Sequence, residues 1–348
     1  MQLLKISQFI EDALFNKDKG YYIKENPIGK NADFITAPEI SQVFGELLAA
    51  YILQVCGKME GEINLVEMGA GRGVLFCDIL NTINKLAKKQ NPQAIDFLSR
   101  ARFSIIEINQ VLIKIQQEKL RDFKINWFEN FDEFLHQTNS QKIFFIANEL
   151  FDCFAIDQFV KTDIGWCERM VKKNLEKLQF VTANFDIKTH NFIENLLGFE
   201  VSSKAPFGAV FEYSNSAKNF MNNLCKSLQN QGGMAIIIDY GYIKNEFANT
   251  LQAIKNHKKT SVLDDVYKSD ITAQVDFSLL EKITKDSKLS HSLITQAEFL
   301  LALGIEERRK ILLQNKSLEE QNKINSQINR LINLDQMGEL FKCLIIWK

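Results

Sequence analysis

The chain has 348 residues, a formal net charge of −1 and 46% apolar residues, as in a globular protein with a large core. Because the charges nearly balance, no overall field draws the protein toward nucleic acid, and we expect no nucleic-acid partner. No apolar run is long enough to cross a bilayer, so membrane insertion is not expected.

The six cysteines are scattered, no two form a CxxC pair, and the four histidines are also dispersed. We therefore expect no disulfide framework and no metal site, and a reducing compartment suits the chain. The opening MQLLKISQFI has neither the basic region and apolar run of a secretion signal nor the arginines of a transit peptide. The expected location is the cytoplasm, and a homodimer is left open.

The first 62 residues read as a helical segment around one loop. Helical apolar spacing predicts helices over Leu3–Phe15 and Ser41–Cys56. The intervening NKDKGYYIKENPIGKNADFITAPEIS is rich in Gly, Asn and Pro, which indicates a loop. We assign 1–62 to this segment and 63–348 to the main domain.

From Ile63 onward, apolar strands alternate with amphipathic helices. Strands are predicted at 63–68, 103–108, 124–128, 143–147 and 235–239, and helices at about 73–90, 109–120 and 131–137. This alternation is typical of a doubly wound parallel sheet in an α/β protein.

The later chain carries insertions. AIDQFV, CERMV, LQFVT and AVFEYS predict a β-rich insertion at about 155–213, and a helical insertion is predicted at 297–333. Crossover helices are predicted at 214–230 and 277–285 and a sixth strand at SHSLIT; the final FKCLIIWK is predicted as a seventh strand, antiparallel at the sheet edge. This seven-strand pattern matches the class I methyltransferase version of the Rossmann-like fold.

A glycine-rich turn follows the first strand of this sheet in VEMGAGRGV. Gly69, Gly71 and Gly73 allow a ligand to approach bare backbone, and the following helix presents its N–H groups. A dinucleotide fingerprint has a glycine at the sixth position, where Val74 stands here. The alternative interpretation is a tight turn without a ligand.

Two acids near the turn indicate which class of ligand it binds. Glu67 directly precedes the turn, and Glu107 follows the second strand in FSIIEIN, too late for the ribose acid of a dinucleotide site. A carboxylate can accept hydrogen bonds from both ribose hydroxyls. The spacing therefore favours S-adenosylmethionine, with a nicotinamide oxidoreductase as the disfavoured rival.

Polar side chains also follow the fourth strand, in IFFIANELFDCF. Asn148, Glu149 and Asp152 come just past a buried strand, where the ligand crevice of an open α/β sheet lies. Two carboxylates can hold a planar guanidinium and aim one nitrogen at a methyl donor. Capping of a helix by Asn148, with the acids in its first turn, is an equally weighted alternative.

The loop ADFITAPEIS is a candidate lid, with Asp33, Phe34 and Thr36 lining the cofactor site. The simpler interpretation is a helix entry, in which Pro38 starts the helix and Glu39 occupies its first turn.

A second candidate loop is IDYGY, with Asp239, Tyr240 and Gly241 after the fifth strand; a capped turn is the alternative. His257 and His291 have no partner pattern and are interpreted as surface or structural residues.

Taken in order, these segments resemble the MidA family of S-adenosylmethionine-dependent methyltransferases. The resemblance runs nearly end to end and rests on GYY…DFITAPEISQVFGELL, VEMGAGRG, ANELFDCFAIDQFV, GGMAIIIDYG, TLQAIKNHK, DITAQVDF, TQAEFLLALGI and MGELFKCL. The family includes the mitochondrial protein arginine methyltransferase that assists assembly of respiratory complex I.

The resemblance implies cofactor binding by Gly69, Gly71, Gly73 and Glu107, and the family segment NEL-FD corresponds to Asn148, Glu149 and Asp152. It also implies a protein arginine as acceptor, symmetric dimethylation, and a complex I subunit as the client. The remaining alternatives are a noncatalytic assembly factor on this scaffold and a small-molecule methyltransferase.

Overall fold

The computed structural model describes residues 2–24, 36–138, 141–174, 177–244, 247–255 and 258–348. The strands there are β1 (Gln2–Lys5), β2 (Ile63–Met68), β3 (Ala101–Ile106), β4 (Ile125–Phe128), β5 (Lys142–Asn148), β6 (Asp157–Thr162), β7 (Gly165–Asn174), β8 (Lys177–Thr182), β9 (Val210–Tyr213), β10 (Gly233–Tyr242), β11 (Gln252–Lys255), β12 (Lys258–Thr260), β13 (Asp270–Thr272), β14 (Val275–Asp276), β15 (Ser290–Thr295) and β16 (Phe341–Trp347).

The helices are α1 (Ile6–Phe15), α2 (Tyr21–Lys24), α3 (Ala37–Ile40), α4 (Gln42–Cys56), α5 (Val74–Lys88), α6 (Pro92–Arg100), α7 (Gln110–Lys119), α8 (Phe131–Gln137), α9 (Ile187–Leu197), α10 (Phe199–Lys204), α11 (Asn215–Gln231), α12 (Phe277–Asp286), α13 (Gln296–Ala302), α14 (Ile305–Leu313), α15 (Leu318–Ile332) and α16 (Met337–Leu340). A short 3-10 turn spans Phe151–Cys153.

The main sheet has the strand order β15-β16-β10-β5-β2-β3-β4. The strands from β10 to β4 are parallel, and β16 runs antiparallel to both β10 and β15. The prediction that the last strand lies at the sheet edge is therefore wrong. Its residues Phe341 to Ile346 are all buried, as expected for a strand flanked on both sides, and β15 forms the edge instead.

The sheet has eight strands rather than the predicted seven, because β14 also pairs with β10. This pairing extends β10 through Tyr242, so IDYGY is strand and not the predicted loop. Gly241 permits the close approach, since a Cβ there would lie 2.1 Å from the Val275 carbonyl oxygen.

The predicted N-terminal helix is also partly wrong. Gln2–Lys5 is a strand that pairs antiparallel with β7, and the helix begins at Ile6. Apolar and polar residues do not alternate clearly in this opening stretch. The strand can therefore be recognised only from its pairing with β7. The N-terminal segment thereby joins a second sheet, of order β1-β7-β6-β9 with β8 on β7.

The region 155–213 contains β6, β7, β8 and β9 together with α9 and α10. A third sheet, β12-β11-β13, follows β10 and was not predicted. The helix predicted at 73–90 ends at Lys88, and Asn91 then caps a separate helix, α6. The segment predicted as a helical insertion at 297–333 comprises α13, α14 and α15.

Apolar layers cover both faces of the main sheet, and β5 shows why. Phe144 and Ile146 point into one layer, whereas Ile143, Phe145 and Ala147 point into the other. A strand buried on both faces reads as a continuous apolar run, which is how IFFIA predicted it. The sheet is a rigid base on which the turns at its carboxyl edge can position polar groups.

No helix in the described ranges is long and apolar enough to cross a membrane. The six cysteines are all unpaired thiols.

Candidate active site

A cavity of about 590 Å³ opens at the carboxyl ends of β2, β3, β4 and β5. This volume suits a nucleoside-sized ligand and part of an acceptor. The described residues that line it are Glu11, Phe15, Tyr22, Thr36, Met68, Gly69, Gly71, Ile106, Glu107, Ile108, Leu112, Glu129, Glu149, Leu150, Asp152, Cys153, Phe154, Ala155, Ser216 and Asp270.

The glycine turn forms one wall. Gly69, Gly71 and Gly73 have φ values of 71°, 54° and 70°, in the left-handed region that favours glycine. A Cβ on Gly69 would lie 2.7 Å from Cδ1 of Leu150, so this glycine also allows the turns after β2 and β5 to meet. Gly69 and Gly71 line the cavity, whereas Gly73 begins helix α5 behind it.

Glu107 forms a second wall next to the turn, where the Gly69 N–H donates to the Ile106 carbonyl at 3.0 Å. Its Oε1 accepts the backbone N–H of Asn109 at 3.0 Å, and its Oε2 accepts from Nε2 of Gln116 at 3.3 Å. Burial raises the pKa of Glu107 above its usual value, and these bonds oppose that rise. Each oxygen keeps a lone pair for a ribose hydroxyl, so the carboxylate fits the role that its position predicts.

Gln116 joins the two walls. Its Nε2 also donates to the Gly71 carbonyl at 2.7 Å, and its Oε1 accepts from Nε1 of Trp127 at 3.0 Å. The side chain is fully buried. Sequence reasoning missed it, since a glutamine within an amphipathic helix carries no local signal.

Glu67 does not line the cavity. It is buried under the glycine turn, and its Oε2 has no hydrogen-bond partner within the described ranges. Burial, assisted by the charge of Glu107, raises the pKa of Glu67 to about 8. A buried carboxyl without a counter-charge is largely neutral at pH 7.

The acids after β5 adopt a specific backbone geometry. Glu149 has φ of 53°, unusual for a residue with a side chain, and its N–H donates to the Ile238 carbonyl at 2.8 Å. Its Oε1 accepts from the Ala37 N–H at 2.8 Å and from Nδ2 of Asn148 at 3.2 Å. Burial raises the pKa of Glu149 to about 7. Its other oxygen accepts no hydrogen bond within the described ranges and can accept one from a ligand.

Asn148 ends β5 and is buried behind Glu149, without lining the cavity. The alternative that it caps a helix is wrong: the following 3-10 turn begins after Leu150, and no side-chain bond caps it. Asn148 instead orients the carboxylate of Glu149.

Asp152 belongs to a group of acids drawn from distant segments. Oδ2 of Asp239, below it, accepts the N–H groups of Phe151 at 2.8 Å and of Asp152 at 3.2 Å. Burial raises the pKa of Asp239 to about 8. Burial and the charges of Asp239 and Asp270 raise the pKa of Asp152 well above its usual range. These acids together therefore carry few negative charges until a cation binds.

Six acids line the cavity, and none of its described lining residues is Lys, Arg or His. They are Glu11, Glu107, Glu129, Glu149, Asp152 and Asp270. A cavity of this composition favours cationic ligands, such as a sulfonium and a guanidinium. Among the described residues, no group of three or more His, Cys, Asp or Glu has the arrangement of a metal site.

Of the predicted lid, Thr36 lines the cavity, and Asp33 and Phe34 lie outside the described residues. Helix α3 starts with Pro38 in its first turn and Glu39 beside it, as the helix-entry interpretation expects. Glu39 pairs with Arg72 of the glycine turn at 3.5 Å. The lid itself stays a prediction.

The candidates of IDYGY do not line the cavity. The carboxylate of Asp239 accepts the backbone N–H of Phe151, and the hydroxyl of Tyr240 donates to Thr272 at 2.6 Å. His291 lies 3.3 Å from Glu281, away from the cavity, and His257 is outside the described residues.

The sequence predictions also missed other polar lining residues, among them Glu11, Tyr22, Glu129, Ser216 and Asp270. The Tyr22 hydroxyl donates to Oδ1 of Asp270 at 2.9 Å, although the two are 248 positions apart in the chain. Glu129 directly follows β4, so the rule that placed Glu107 after its strand would also have found it.

The sequence matches the S-adenosyl-L-methionine-dependent methyltransferase family over residues 47–295, most of the chain. The chain belongs to this family. The resemblance inferred from the sequence blocks is thereby confirmed, and the cofactor of this methyltransferase is S-adenosyl-L-methionine.

Two curated relatives are mitochondrial protein arginine methyltransferases named NDUFAF7. The Homo sapiens protein is 30% identical over 97% of this chain and 78% of its own length. The Xenopus tropicalis protein is 29% identical over 97% of this chain and 81% of its own length.

Two solved structures share the fold. A Burkholderia thailandensis protein bound to S-adenosyl-homocysteine superposes with a TM-score of 0.83 at 23% identity, covering 99% of this chain and 88% of that one. The native form of a protein from the same organism gives 0.82 at 23% identity, covering 99% and 87%. The methyltransferase therefore has the α/β fold of these neighbours.

The site fits the cofactor. The left-handed glycine turn supplies bare backbone, and Glu107 supplies two acceptor oxygens on the wall next to it. When bound, the cofactor supplies an electrophilic methyl group on a sulfonium. The residues that line the cavity would then hold an acceptor beside that methyl group.

Proposed function

We propose that this methyltransferase methylates an arginine side chain of a protein client. The observation that carries the proposal is the position of Glu149 and Asp152, which line the same cavity as the glycine turn and Glu107. Two neighbouring carboxylates suit the planar, multi-donor guanidinium. The arginine function of the NDUFAF7 relatives supports the same acceptor.

In this mechanism, the guanidinium displaces protons from the acids as it binds, because its charge lowers their raised pKa values. Ala37 and Asn148 hold Glu149, and Asp239 holds the turn that carries Asp152. Transfer would form an N–CH₃ bond at one guanidinium nitrogen as the S–CH₃ bond of the cofactor breaks and leaves its electron pair on sulfur. An ionised acid of the group would take the proton that this nitrogen releases.

Symmetric dimethylation and a respiratory complex I subunit as client are the finer parts of the proposal, and they rest on the family resemblance. A cytoplasmic location for the reaction is proposed from the sequence. A homodimer is compatible with the proposal but is not required by it.

The test combines two measurements. Isothermal titration with S-adenosyl-L-methionine must show binding, and mass spectrometry must find arginine methylation that disappears from cells lacking the protein. Unchanged arginine methylation in those cells would rule out the proposed reaction.

The variant Glu149→Gln distinguishes catalysis from assembly on a methyltransferase scaffold. The amide oxygen still accepts from Ala37, but the charge is removed. If client assembly proceeds normally while methylation is lost, the noncatalytic alternative is correct. Methylation of free small molecules, with no modified protein, would identify a small-molecule enzyme.

A further inference from the structure

A groove of about 660 Å³ adjoins the cavity. Glu11, Ala155 and Ser216 line both. Ala155 closely follows Asp152 in the chain, so the shared wall is on the side of the acceptor acids. We call this depression the acceptor groove.

Three helices frame the acceptor groove, and each presents two exposed side chains to it. Gln8 and Glu11 lie on α1, Lys188 and Phe192 on α9, and Asn215 and Asn219 on α11. The members of each pair are three or four residues apart, the spacing that places side chains on one helix face. The groove is thus a shared feature of the N-terminal helix, the β-rich insertion and the main domain.

Hydrogen bonds and an ion pair fix the walls of the groove. The Ser216 hydroxyl donates to the Ala155 carbonyl at 3.1 Å, which ties α11 to the chain beside the cavity. The Ser7 N–H donates to Oδ1 of Asp157 at 3.1 Å, which ties α1 to β6. Lys5 pairs with Glu168 at 2.9 Å. Walls held in this way need little ordering when a ligand binds.

The lining suits a peptide main chain. Asn215 and Asn219 are exposed, and within the described ranges their side chains make no hydrogen bond to the protein. An amide side chain offers both donors and an acceptor, which complement the C=O and N–H groups of an extended peptide. The groove also carries both charge signs, from Lys188 and Glu11, so it does not select a strongly charged partner.

We propose that the acceptor groove holds the main chain of an extended segment of the protein client, with the segment's arginine side chain passing Glu11 and Ser216 into the cavity. The inference rests on the proposed arginine acceptor. It adds that recognition involves several residues on either side of that arginine, and that Asn215 and Asn219 bind their backbone.

The test uses the full chain loaded with S-adenosyl-homocysteine. Two probes are titrated by calorimetry: acetyl-arginine-N-methylamide, and a capped heptapeptide with arginine at its centre and alanine elsewhere. We expect the heptapeptide to bind at least about tenfold more tightly, since two or more backbone hydrogen bonds are added.

The double variant Asn215→Ala, Asn219→Ala should remove most of that advantage and leave the affinity for the single-residue probe unchanged. Asn222→Ala is the matched control, because Asn222 is exposed on the same helix but does not line the groove. Its heptapeptide affinity should equal that of the unaltered protein.

Two other outcomes overturn the inference in distinguishable ways. Equal affinity for both probes, or a double variant that keeps the full advantage, overturns the groove but retains the arginine acceptor. Binding of S-adenosyl-homocysteine with neither arginine probe bound overturns the arginine acceptor itself, and the groove inference with it.

Discussion

The carboxylate of Glu149 accepts a hydrogen bond at 2.8 Å from the backbone N–H of Ala37, which is 112 positions away in the chain. This contact joins the start of α3 to the carboxyl end of β5. It holds one oxygen of Glu149, a residue that lines the cavity. The segment before the main domain is therefore part of the site and helps to decide the charge of its central acid.

Ala37→Pro removes this donor and places the ring Cδ where the N–H pointed, so the Glu149 carboxylate must move away from the buried helix start. Proline is accepted in the first turn, and the preceding Thr36 already has ψ of 162°, which a following proline requires. Loss of the bond should raise the pKa of Glu149 further above 7. In the proposed mechanism, methyl transfer needs ionised Glu149 and is lost as pH falls through that pKa, so the midpoint of this loss should move up by about one pH unit.

The measurement is the pH profile of kcat/KM for an arginine peptide. Ala37→Gly keeps the N–H and is the matched control. An unchanged midpoint in Ala37→Pro would show that Glu149 does not control the loss of kcat/KM at low pH.

Glu107→Gln should weaken cofactor binding. The amide presents one acceptor oxygen in place of two, and its NH₂ must face one of the two donors, Asn109 or Gln116. A lost charge-assisted hydrogen bond corresponds to roughly 1.5–3 kcal/mol, or about 10- to 150-fold in Kd for S-adenosyl-homocysteine. Calorimetry gives the value, and the exposed Glu118→Gln on α7 is the control. Equal Kd values in the two variants would remove Glu107 from the cofactor site.

Gln116→Leu should affect both binding and stability. It leaves the Gly71 carbonyl and the Trp127 indole N–H without their buried partner, at a cost of about 1–3 kcal/mol each. Thermal unfolding should occur at a lower temperature, and the Kd for S-adenosyl-homocysteine should rise as Glu107 loses its orientation.

Gln116→Glu separates the two effects. It retains the acceptor for Trp127 and introduces a second acid beside Glu107, so binding should weaken further while the packing is preserved. A variant that loses stability but keeps the original Kd would assign Gln116 a structural role alone.

Glu67→Gln should change the pH dependence of stability. The folded-state pKa of Glu67, about 8, is above its ordinary value of 4.5, so the folded protein binds more protons between these limits. Its contribution to stability is fully present below pH 4.5 and is lost as pH rises through 8. The loss is on the order of 3 kcal/mol for an acid this deeply buried.

Urea unfolding at pH 5 and pH 8 measures that loss. The decrease in the free energy of unfolding between these pH values should be smaller in Glu67→Gln. Part of the decrease should remain, because Glu149 and Asp239 also have raised pKa values. Glu60→Gln, at an exposed position, is the control. An equal decrease in the free energy of unfolding from pH 5 to pH 8 in all three proteins would contradict the neutral state of Glu67.

Several features of the site follow from local pattern alone. The glycine turn, Glu107 and the acids after β5 all stand directly after apolar strands, and the carboxyl edge of a parallel sheet collects such residues. Glu129 obeys the same rule. Gln116 and Asp270 do not, because nothing in their own neighbourhood distinguishes them from ordinary helix and loop residues.

The sequence by itself determined the apolar strands, the glycine turn and the family, because burial and backbone conformation leave their mark within a few residues. Only the tertiary structure decided that β16 enters the sheet between β10 and β15, that β1 pairs with β7, and that Tyr22 reaches Asp270. These are pairings between distant segments. Which strand or side chain becomes a partner depends on how the whole chain packs, and no local periodicity records it.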